Sequence, residues 1–306
     1  MNPPDQASPP PNRTSWTQQP ERGSMTMLRL ITWISTALGL RPARVILHLI
    51  AGYFLLFAPT ARRSSRTYLT RVLGQPARIR HIYRHFFTFA ATIHDRIYLL
   101  NNRFDLFDID VHQPAVIDAA IAAGQGVLLL GAHLGSFEVL RAVGRQRPAL
   151  CVVMVMYEQN AKRINAMLSA INPAAEQNII PLGRMDSMIR VQEQLRNGAL
   201  VGLLGDRSFG LEKVQSIAFL GEPALWPSGP FRMAAILRRP IFFMVGLHTG
   251  PGKYEIFFDE LADFTNVERA DREAALHKAM DKYVNLLDKY CHFSPYNWFN
   301  FFDFWR

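Results

Sequence analysis

Cysteine is scarce in this chain, and its scarcity excludes two ways of stabilising a fold. Only Cys151 and Cys291 occur among 306 residues, so the sequence carries neither a disulfide framework nor the cysteine spacing of a zinc site. Cys151 opens an apolar, strand-like run, which predicts a buried and inert thiol. The sequence therefore favours a reducing, cytosolic setting for the main domain and no metal.

Three common catalytic signatures are also missing. The chain has no Gly-x-Gly-x-x-Gly and no phosphate-binding P-loop pattern, which argues against a dinucleotide or nucleoside triphosphate site. It has no Gly-x-Ser-x-Gly, so a serine hydrolase nucleophile elbow is unsupported. We expect no cofactor.

Negative charge is absent from a long N-terminal segment. No Asp, Glu or Lys lies between Arg22 and His94, whereas eleven arginines lie between Arg22 and Arg84. This segment can supply the whole formal net charge of +9. Such a segment indicates an anionic partner, either lipid headgroups, nucleic acid or an acidic protein. Nucleic acid is disfavoured because these arginines flank apolar helices without the interleaved aromatics of a base-stacking surface.

No apolar run is long enough to cross a bilayer by itself. The strongest run, 45–58, has fourteen residues, which as a helix gives roughly 21 Å against a hydrocarbon core of roughly 30 Å. A weaker run, 25–40, precedes it and is interrupted by Arg41-Pro42. The arginines around both runs favour a helical hairpin that enters one leaflet, or one tilted span. The alternative is a pair of core helices in a soluble domain.

From Pro114 onward, strand and helix patterns alternate. This alternation predicts an α/β fold with a mixed, largely parallel central sheet flanked by helices. A Gly/Pro-rich loop is expected over 219–230, and the tail 293–305 has eight aromatics in thirteen positions. That tail is predicted to pack back on the domain or to lie at a membrane interface. The predicted strands are 126–131, 149–156, 178–181, 199–205, 241–247 and 254–259, and the predicted helices are 64–73, 78–100, 115–123, 136–143, 160–171, 185–196, 231–237 and 271–290.

The first candidate site lies where the strand 126–131 turns into a helix. His133 is on the glycine turn, and Glu138 follows in the first helical turn. The carboxyl ends of strands are where open α/β sheets bind ligands. A carboxylate beside a histidine orients the ring and raises its basicity, which predicts a general base. The alternative is a histidine satisfied by backbone groups and a glutamate that faces solvent.

Two further patterns accompany this pair. Asp206-Arg207 ends another apolar strand and should lie at the same edge of the sheet, where Asp206 could bind an acceptor and Arg207 an anion. The alternative is a structural ion pair. Gly229 opens a helix after a Gly/Pro-rich loop, so its surroundings could cradle an anion or an acyl carbonyl, or simply start the helix.

In their order along the chain, these blocks resemble the bacterial lipid A biosynthesis acyltransferases, a family within the wider lysophospholipid acyltransferase-like group. The family hallmark His-x4-Asp/Glu is matched by His133 and Glu138 within Gly-Ala-His-Leu-Gly-Ser-Phe-Glu. The resemblance also covers Asp206, the Phe219-Leu-Gly and Pro227-Ser-Gly-Pro-Phe-Arg blocks, the apolar N-terminal anchor and the Tyr-Asn-Trp-Phe segment near the C-terminus. It spans roughly residues 27–305.

The resemblance implies a membrane-associated acyltransferase. Its donor would be a fatty acyl thioester on acyl carrier protein or coenzyme A, and its acceptor a hydroxyl of a lipid or glycolipid, either lipid A or a related or polyene-type molecule. Membrane lipids would be further partners, at the cytoplasmic face of the bacterial inner membrane. The family's additional arginine would correspond to Arg163 or Arg184. A non-catalytic lipid-binding protein with the same fold is the alternative.

The implied layout of the chain has three parts. Residues 1–22 are rich in Pro, Gln, Asn and Ser and are expected to be disordered. Residues 23–60 would form the membrane-associated helical anchor, and residues 61–306 the acyltransferase domain.

Overall fold

A computed structural model describes residues 40–145, 151–157, 171, 178–184, 186–207 and 213–305. The segment predicted to be disordered, the apolar run before Leu40 and nearly all of the helix predicted over 160–171 lie outside the described residues.

The described part has a seven-stranded central sheet with helices on both sides, so the predicted fold class is confirmed. The strand order is β1-β9-β8-β2-β5-β3-β4, and only the β8–β9 pair is antiparallel. The strands are β1 (Asp108–Val111), β2 (Val127–Gly131), β3 (Val152–Tyr157), β4 (Ile179–Leu182), β5 (Leu200–Leu204), β6 (Val214–Phe219), β7 (Glu222–Pro227), β8 (Pro240–Gly250) and β9 (Lys253–Asp263). The α-helices are α1 (Leu40–Phe57), α2 (Pro59–Leu73), α3 (Ile79–Leu100), α4 (Pro114–Ala122), α5 (Phe137–Arg145), α6 (Ser187–Arg196), α7 (Gly229–Leu237) and α8 (Arg272–Phe293).

Strand β2 is at the centre of this sheet, between β8 and β5. Its residues Val127 to Leu130 are all buried, as a strand covered on both faces requires. Because side chains alternate along a strand, Leu128 and Leu130 join one core, whereas Val127 and Leu129 join the core on the opposite face. The apolar side chains of β2 therefore pack against helices on both faces of the sheet, and the carboxyl end of this strand lies in the middle of the sheet.

Local chemistry explains the helix boundaries at the N-terminal hairpin. Helix α1 ends at Phe57 and α2 begins at Pro59, because proline lacks an N–H and is tolerated only in the first turn. Pro42 lies near the beginning of the described part of α1, which covers Leu40–Phe57. The run before it lies outside the described residues, so the interruption at Arg41-Pro42 stays a prediction.

Two expectations are corrected by the structure, and one strand was not predicted. Cys151 is exposed immediately before β3, whereas Cys291 is buried. The stretch 219–230, predicted as a Gly/Pro-rich loop, contains the strand β7, which pairs antiparallel with β6 in a hairpin. The short strand β1, which pairs in parallel with β9, was not predicted, because it has only four residues and a half-exposed pattern.

Within the described ranges, no helix taken singly has both the length and the hydropathy of a membrane span. The segments Pro42–Phe57 and Pro59–Leu73 meet that criterion only as a pair, and they are bent by 97° at the break between them.

The aromatic C-terminal segment packs back on the domain. Trp298 is fully buried and has edge contacts with Tyr68 and Phe304. Trp305 donates its indole N–H to the carbonyl of Phe219 at 3.2 Å. Of the two predicted placements, packing on the domain is the one observed.

Candidate active site

His133 lies directly beyond the carboxyl end of β2, at the edge of the sheet where parallel strands present their ligand-binding loops. The turn that follows needs glycine. Gly135 has φ +70°, and a Cβ on it would overlap the carbonyl oxygen of Gly246 in β8. Ser136 donates its backbone N–H to that same carbonyl at 2.7 Å. The close approach to β8 therefore fixes the path of the chain immediately after His133.

Asp206 follows the neighbouring strand β5 and meets His133 at this edge. Its Oδ1 lies 2.8 Å from Nδ1 of His133, and its Oδ2 accepts the backbone N–H of His133 at 3.0 Å. Strands β2 and β5 pair in parallel register from Val127–Leu200 to Gly131–Leu204. This register brings the two loops side by side and positions the carboxylate against both the ring and the main chain.

The geometry settles which nitrogen of His133 carries the proton. An ionised carboxylate only accepts hydrogen bonds, so Nδ1 is the protonated nitrogen and donates to Asp206. Nε2 is then the basic nitrogen of the neutral ring. The side chain of His133 is 31% exposed and that of Asp206 only 1%. The site is therefore a buried carboxylate behind an accessible imidazole.

Burial and charge keep both groups in the forms that this arrangement requires. Burial lowers the pKa of His133 below 6.5, and the nearby Arg207 guanidinium lowers it further, against the opposing effect of Asp206. Burial alone would raise the pKa of Asp206, but the charge of His133, its hydrogen bonds and the charge of Arg207 outweigh this and bring it to about 2. At neutral pH, the pair is a carboxylate and a neutral imidazole.

The C-terminal segment closes the site from the other side. Trp298 donates its Nε1–H to Oδ2 of Asp206 at 3.2 Å. Phe299 donates its backbone N–H to the carbonyl of His133 at 2.7 Å, and Leu134 forms a β-bridge with Trp298. Asn297 accepts the backbone N–H of Gly135 on its carbonyl at 2.8 Å. Three successive residues of the tail therefore bond to the turn around His133 or contact Asp206.

Asn297 also ties this segment to the sheet. Its side chain accepts the backbone N–H of His248 at 2.8 Å and donates to the carbonyl of the same residue at 3.0 Å. This pair of bonds copies the pairing of a neighbouring strand at the end of β8. The tail is thereby held in register with the core rather than only by aromatic packing.

Glu138 is placed differently from the sequence-based expectation. It is buried in the first turn of α5, and its Oε2 lies 3.4 Å from a guanidinium nitrogen of Arg141, which is also buried. Asp206, not Glu138, is the carboxylate at Nδ1 of His133. The assignment of Glu138 as the group that orients the ring is therefore revised, whereas its part in the chemistry stays a prediction.

Arg207 lies beside the pair and is held by the tail. It donates to the carbonyl of Phe299 at 3.3 Å, and its guanidinium lies 5.2 Å from the centre of the Phe302 ring. Burial lowers its pKa, and Asp206 opposes that shift. A fixed cation next to His133 and Asp206 provides a place for negative charge.

Among the other predicted residues, Arg184 lies away from His133. Arg184 follows β4, separated from β2 by two strands and so by about 14 Å across the sheet. It is exposed and pairs with Asp186 at 3.5 Å. Arg163 lies outside the described residues. Gly229 is the first residue of α7, and its neighbour Ser228 donates both its N–H and its hydroxyl to the carbonyl of Lys213.

Sequence reasoning missed Trp298, Asn297 and Tyr283 as parts of the site. Tyr283, in α8, donates its hydroxyl to the carbonyl of Gly131 at 2.9 Å and so fixes the end of β2. The signals for Trp298 were the density of aromatics in the tail and the resemblance of the Tyr-Asn-Trp-Phe segment, and neither reveals the partner of any one ring. Among the described residues, no group of three His, Cys, Asp or Glu side chains is arranged to hold a metal ion.

No curated protein matches the chain. A family model described as bacterial lipid A biosynthesis acyltransferase matches residues 17–306, which include the whole site and all of the described fold. This chain therefore belongs to the bacterial lipid A biosynthesis acyltransferase family.

Proposed function

We propose that this acyltransferase moves a fatty acyl chain from an acyl thioester to a hydroxyl of a lipid or glycolipid, with His133 as the general base. The observation that carries the proposal is the 2.8 Å contact between Nδ1 of His133 and the buried Asp206. It leaves Nε2 as the proton acceptor on an accessible ring. The family membership supplies the reaction class, and the pair supplies the chemistry.

The proposed reaction needs no covalent enzyme intermediate. Nε2 of His133 takes the proton of the acceptor hydroxyl while the hydroxyl oxygen attacks the carbonyl carbon of the thioester. The tetrahedral intermediate collapses, the carbon–sulfur bond breaks, and the imidazolium returns the proton to the leaving thiolate. Asp206 holds the ring in one tautomer and stabilises the imidazolium during the transfer.

Negative charge on the carbonyl oxygen needs a partner in the transition state. Arg207 is suited to this role, because the backbone of Phe299 and the ring of Phe302 hold its guanidinium beside the pair. Backbone N–H groups around Gly229 and the guanidinium of Arg163 or Arg184 remain predicted contributors to substrate binding.

The donor is proposed to be carried by acyl carrier protein or coenzyme A, and the acceptor to lie at the cytoplasmic face of the bacterial inner membrane. Acyl carrier protein is acidic, so a basic chain suits it. Residues 23–60 are proposed as the membrane-associated anchor of an acyltransferase domain over 61–306.

The test is acyl transfer by the purified full chain with radiolabelled acyl carrier protein or acyl-coenzyme A and extracted lipids. His133→Ala should lower the rate by at least ~10²-fold, since general base catalysis contributes roughly 10²–10⁴. His277→Ala is the matched control, because His277 is exposed on α8. Full activity of His133→Ala would refute the mechanism. Lipid binding without transfer by the wild type would instead support a non-catalytic lipid-binding protein.

Glu138 needs its own pair of variants. Because Glu138 and Arg141 are both buried, Glu138→Ala removes a charge beside a buried cation and risks a loss of about 3 kcal/mol or more of stability. Glu138→Gln keeps the size of the side chain. A loss of transfer by both variants, with cooperative unfolding retained, would support a role for Glu138 in the reaction. Full activity of Glu138→Gln would show that the carboxylate of Glu138 has no such role.

A further inference from the structure

Helix α1 has one buried face and one exposed face, and both carry apolar side chains. Its inner face consists of small and apolar side chains, is buried and packs on α3. Its outer face carries exposed apolar side chains, of which Leu49 and Leu56 are 72% and 67% exposed. The inner residues are Ala43, Leu47 and Ala51, and the outer ones are Val45, Leu49, Tyr53, Leu56 and Phe57.

The inner face is already anchored without help from the outer one. Arg44 lies 3.9 Å from the fully buried Asp95 in α3, and that carboxylate accepts the hydroxyl of Tyr254 in β9 at 2.9 Å. Because the helix is fixed to the domain on this side, the exposed apolar side chains of its outer face can contact a partner.

The outer face has the dimensions of one lipid leaflet. At 100° per residue, its members span about 120° of the helix circumference, and from Val45 to Leu56 they extend about 17 Å along the axis. Half of a hydrocarbon core is about 15 Å. Among possible occupants of an apolar stripe, a single leaflet matches this length.

Positive charge lies at the C-terminal end of this stripe. Arg62, Arg63 and Arg66 in α2, together with Pro59 and Ile79, line a cavity of about 430 Å³ at the bend between the two helices. Arg62 donates to the carbonyl of Leu55 at 2.7 Å and so caps α1. In the part of the chain that the structure describes, no carboxylate lies within ion-pair distance of these three arginines.

We propose that this cavity is a binding site for the phosphate of an anionic lipid headgroup, and that the outer face of α1 enters the leaflet to which that lipid belongs. An apolar stripe that ends in arginines is the pattern of a helix whose apolar part lies in the hydrocarbon and whose basic end lies among the headgroups. Arginine also suits phosphate because its planar guanidinium can donate two parallel hydrogen bonds. The inference extends the proposed membrane association and is independent of the chemistry at His133.

The test is flotation of the full chain with vesicles of phosphatidylcholine alone or with about one third phosphatidylglycerol. At low salt, Arg63→Gln/Arg66→Gln should bind the anionic vesicles about 30-fold more weakly and the neutral ones unchanged, since each arginine near an anionic surface contributes about a factor of five. The matched control is Arg190→Gln/Arg196→Gln, which removes the same charge from exposed positions of α6. Wild-type binding by the cavity variant, or an equal loss in the control, would overturn the proposal.

The outer face is tested by Leu49→Gln/Leu56→Gln. Both positions are exposed, so the fold should persist, and binding to both kinds of vesicle should fall at least ~10-fold as apolar burial is lost. Unchanged binding would show that this face does not insert.

Two further measurements distinguish this proposal from a failure of the proposed reaction and from binding of acyl carrier protein at the cavity. Transfer to a detergent-dispersed acceptor should be unchanged in the arginine variant. If the proposed reaction itself is wrong, the wild-type chain will show no transfer in the same assay. If the arginine variant loses capture of acyl carrier protein but keeps its binding to anionic vesicles, the cavity serves that acidic protein and the lipid assignment is wrong.

Discussion

At the residue scale, the central feature is a carboxylate that accepts three hydrogen bonds from fixed donors. Oδ2 of Asp206 accepts the N–H of His133 and the indole N–H of Trp298, and Oδ1 accepts Nδ1–H. Both oxygens of the Asp206 carboxylate therefore already accept hydrogen bonds from the protein before any substrate binds. The chemistry of His133 depends on that assignment, because it decides which nitrogen is basic.

Asp206→Asn tests the assignment directly. With two N–H donors at one oxygen position, the amide oxygen of asparagine should stay there and its NH₂ should face Nδ1. Nδ1 would then have to accept, which moves the proton to Nε2 and removes the base. We expect kcat to fall by roughly 10²–10⁴-fold with little change in KM, measured by steady-state acyl transfer. A loss below tenfold would contradict the tautomer argument.

The pH profile provides a second residue-scale prediction. The pKa of His133 is lowered below 6.5, so the free enzyme should keep its base deprotonated at neutral pH and lose kcat/KM only in more acidic solution. Arg207→Gln removes a cation that lowers this pKa, and the acidic limb should move to higher pH. The check is kcat/KM from pH 5 to 8; a limb that is unmoved, or moved to lower pH, would count against the electrostatic account.

At the element scale, the C-terminal segment behaves as part of the active site. Residues 297–299 bond to the turn after β2, and Trp298 also accepts, on its carbonyl, a hydrogen bond from Nε2 of His85 in α3 at 2.9 Å. The other ring nitrogen of His85 lies 2.8 Å from the hydroxyl of Ser65 in α2. Through two different groups of Trp298, hydrogen bonds thus link the N-terminal helices to Asp206.

Trp298→Phe should separate positioning from packing. The phenyl ring keeps the aromatic contacts but cannot donate to Asp206, so the carboxylate becomes a stronger partner for His133. We expect kcat to drop about tenfold and the acidic limb of kcat/KM to move to higher pH, a shift that lost packing would not produce.

The matched variant is Trp305→Phe. It removes an indole hydrogen bond of the same tail, but one whose acceptor is the carbonyl of Phe219 rather than the carboxylate of Asp206. Its pH profile should stay at the wild-type position; an equal shift in both variants would mean that the tail acts through general loosening.

At the scale of the whole molecule, a buried neutral histidine makes stability depend on pH. His85 is fully buried between helices and tail. Burial lowers its pKa to about 4, and the hydrogen bond to the Trp298 carbonyl only partly opposes this. Because that carbonyl only accepts, Nε2 is protonated and Nδ1 accepts from Ser65.

The sign of this effect follows from the lowered pKa. The unfolded chain binds a proton near pH 6.5, whereas the folded chain binds it only near pH 4. The stability contributed by neutral His85 is therefore full above pH 6.5, and up to about 3 kcal/mol is lost as the pH falls to about 4. Urea unfolding at pH 7 and pH 4.5 measures it. His85→Gln, which does not titrate, should lose less stability over this interval, and an equal loss would contradict the assignment.

The sequence by itself determined the local elements. The run Val127–Leu130 indicates a strand buried on both faces, Pro59 separates two helices, and glycine at 135 is demanded by a positive φ. These features depend on neighbours along the chain, where periodicity and backbone sterics act. For the same reason, the strand–turn–helix around His133 and the position of Asp206 after a strand were predictable.

Only the tertiary structure decided which groups meet. His133 and Glu138 are five residues apart and were expected to pair, but the parallel register of β2 and β5 brings Asp206 to the ring instead. Trp298 reaches that carboxylate from a tail whose aromatics look alike in sequence. Hydrogen-bond partners across a sheet are set by strand order and register, which no local pattern encodes. The position of His133 at a strand end was therefore visible in the sequence, whereas its carboxylate partner was fixed by the packing of distant segments.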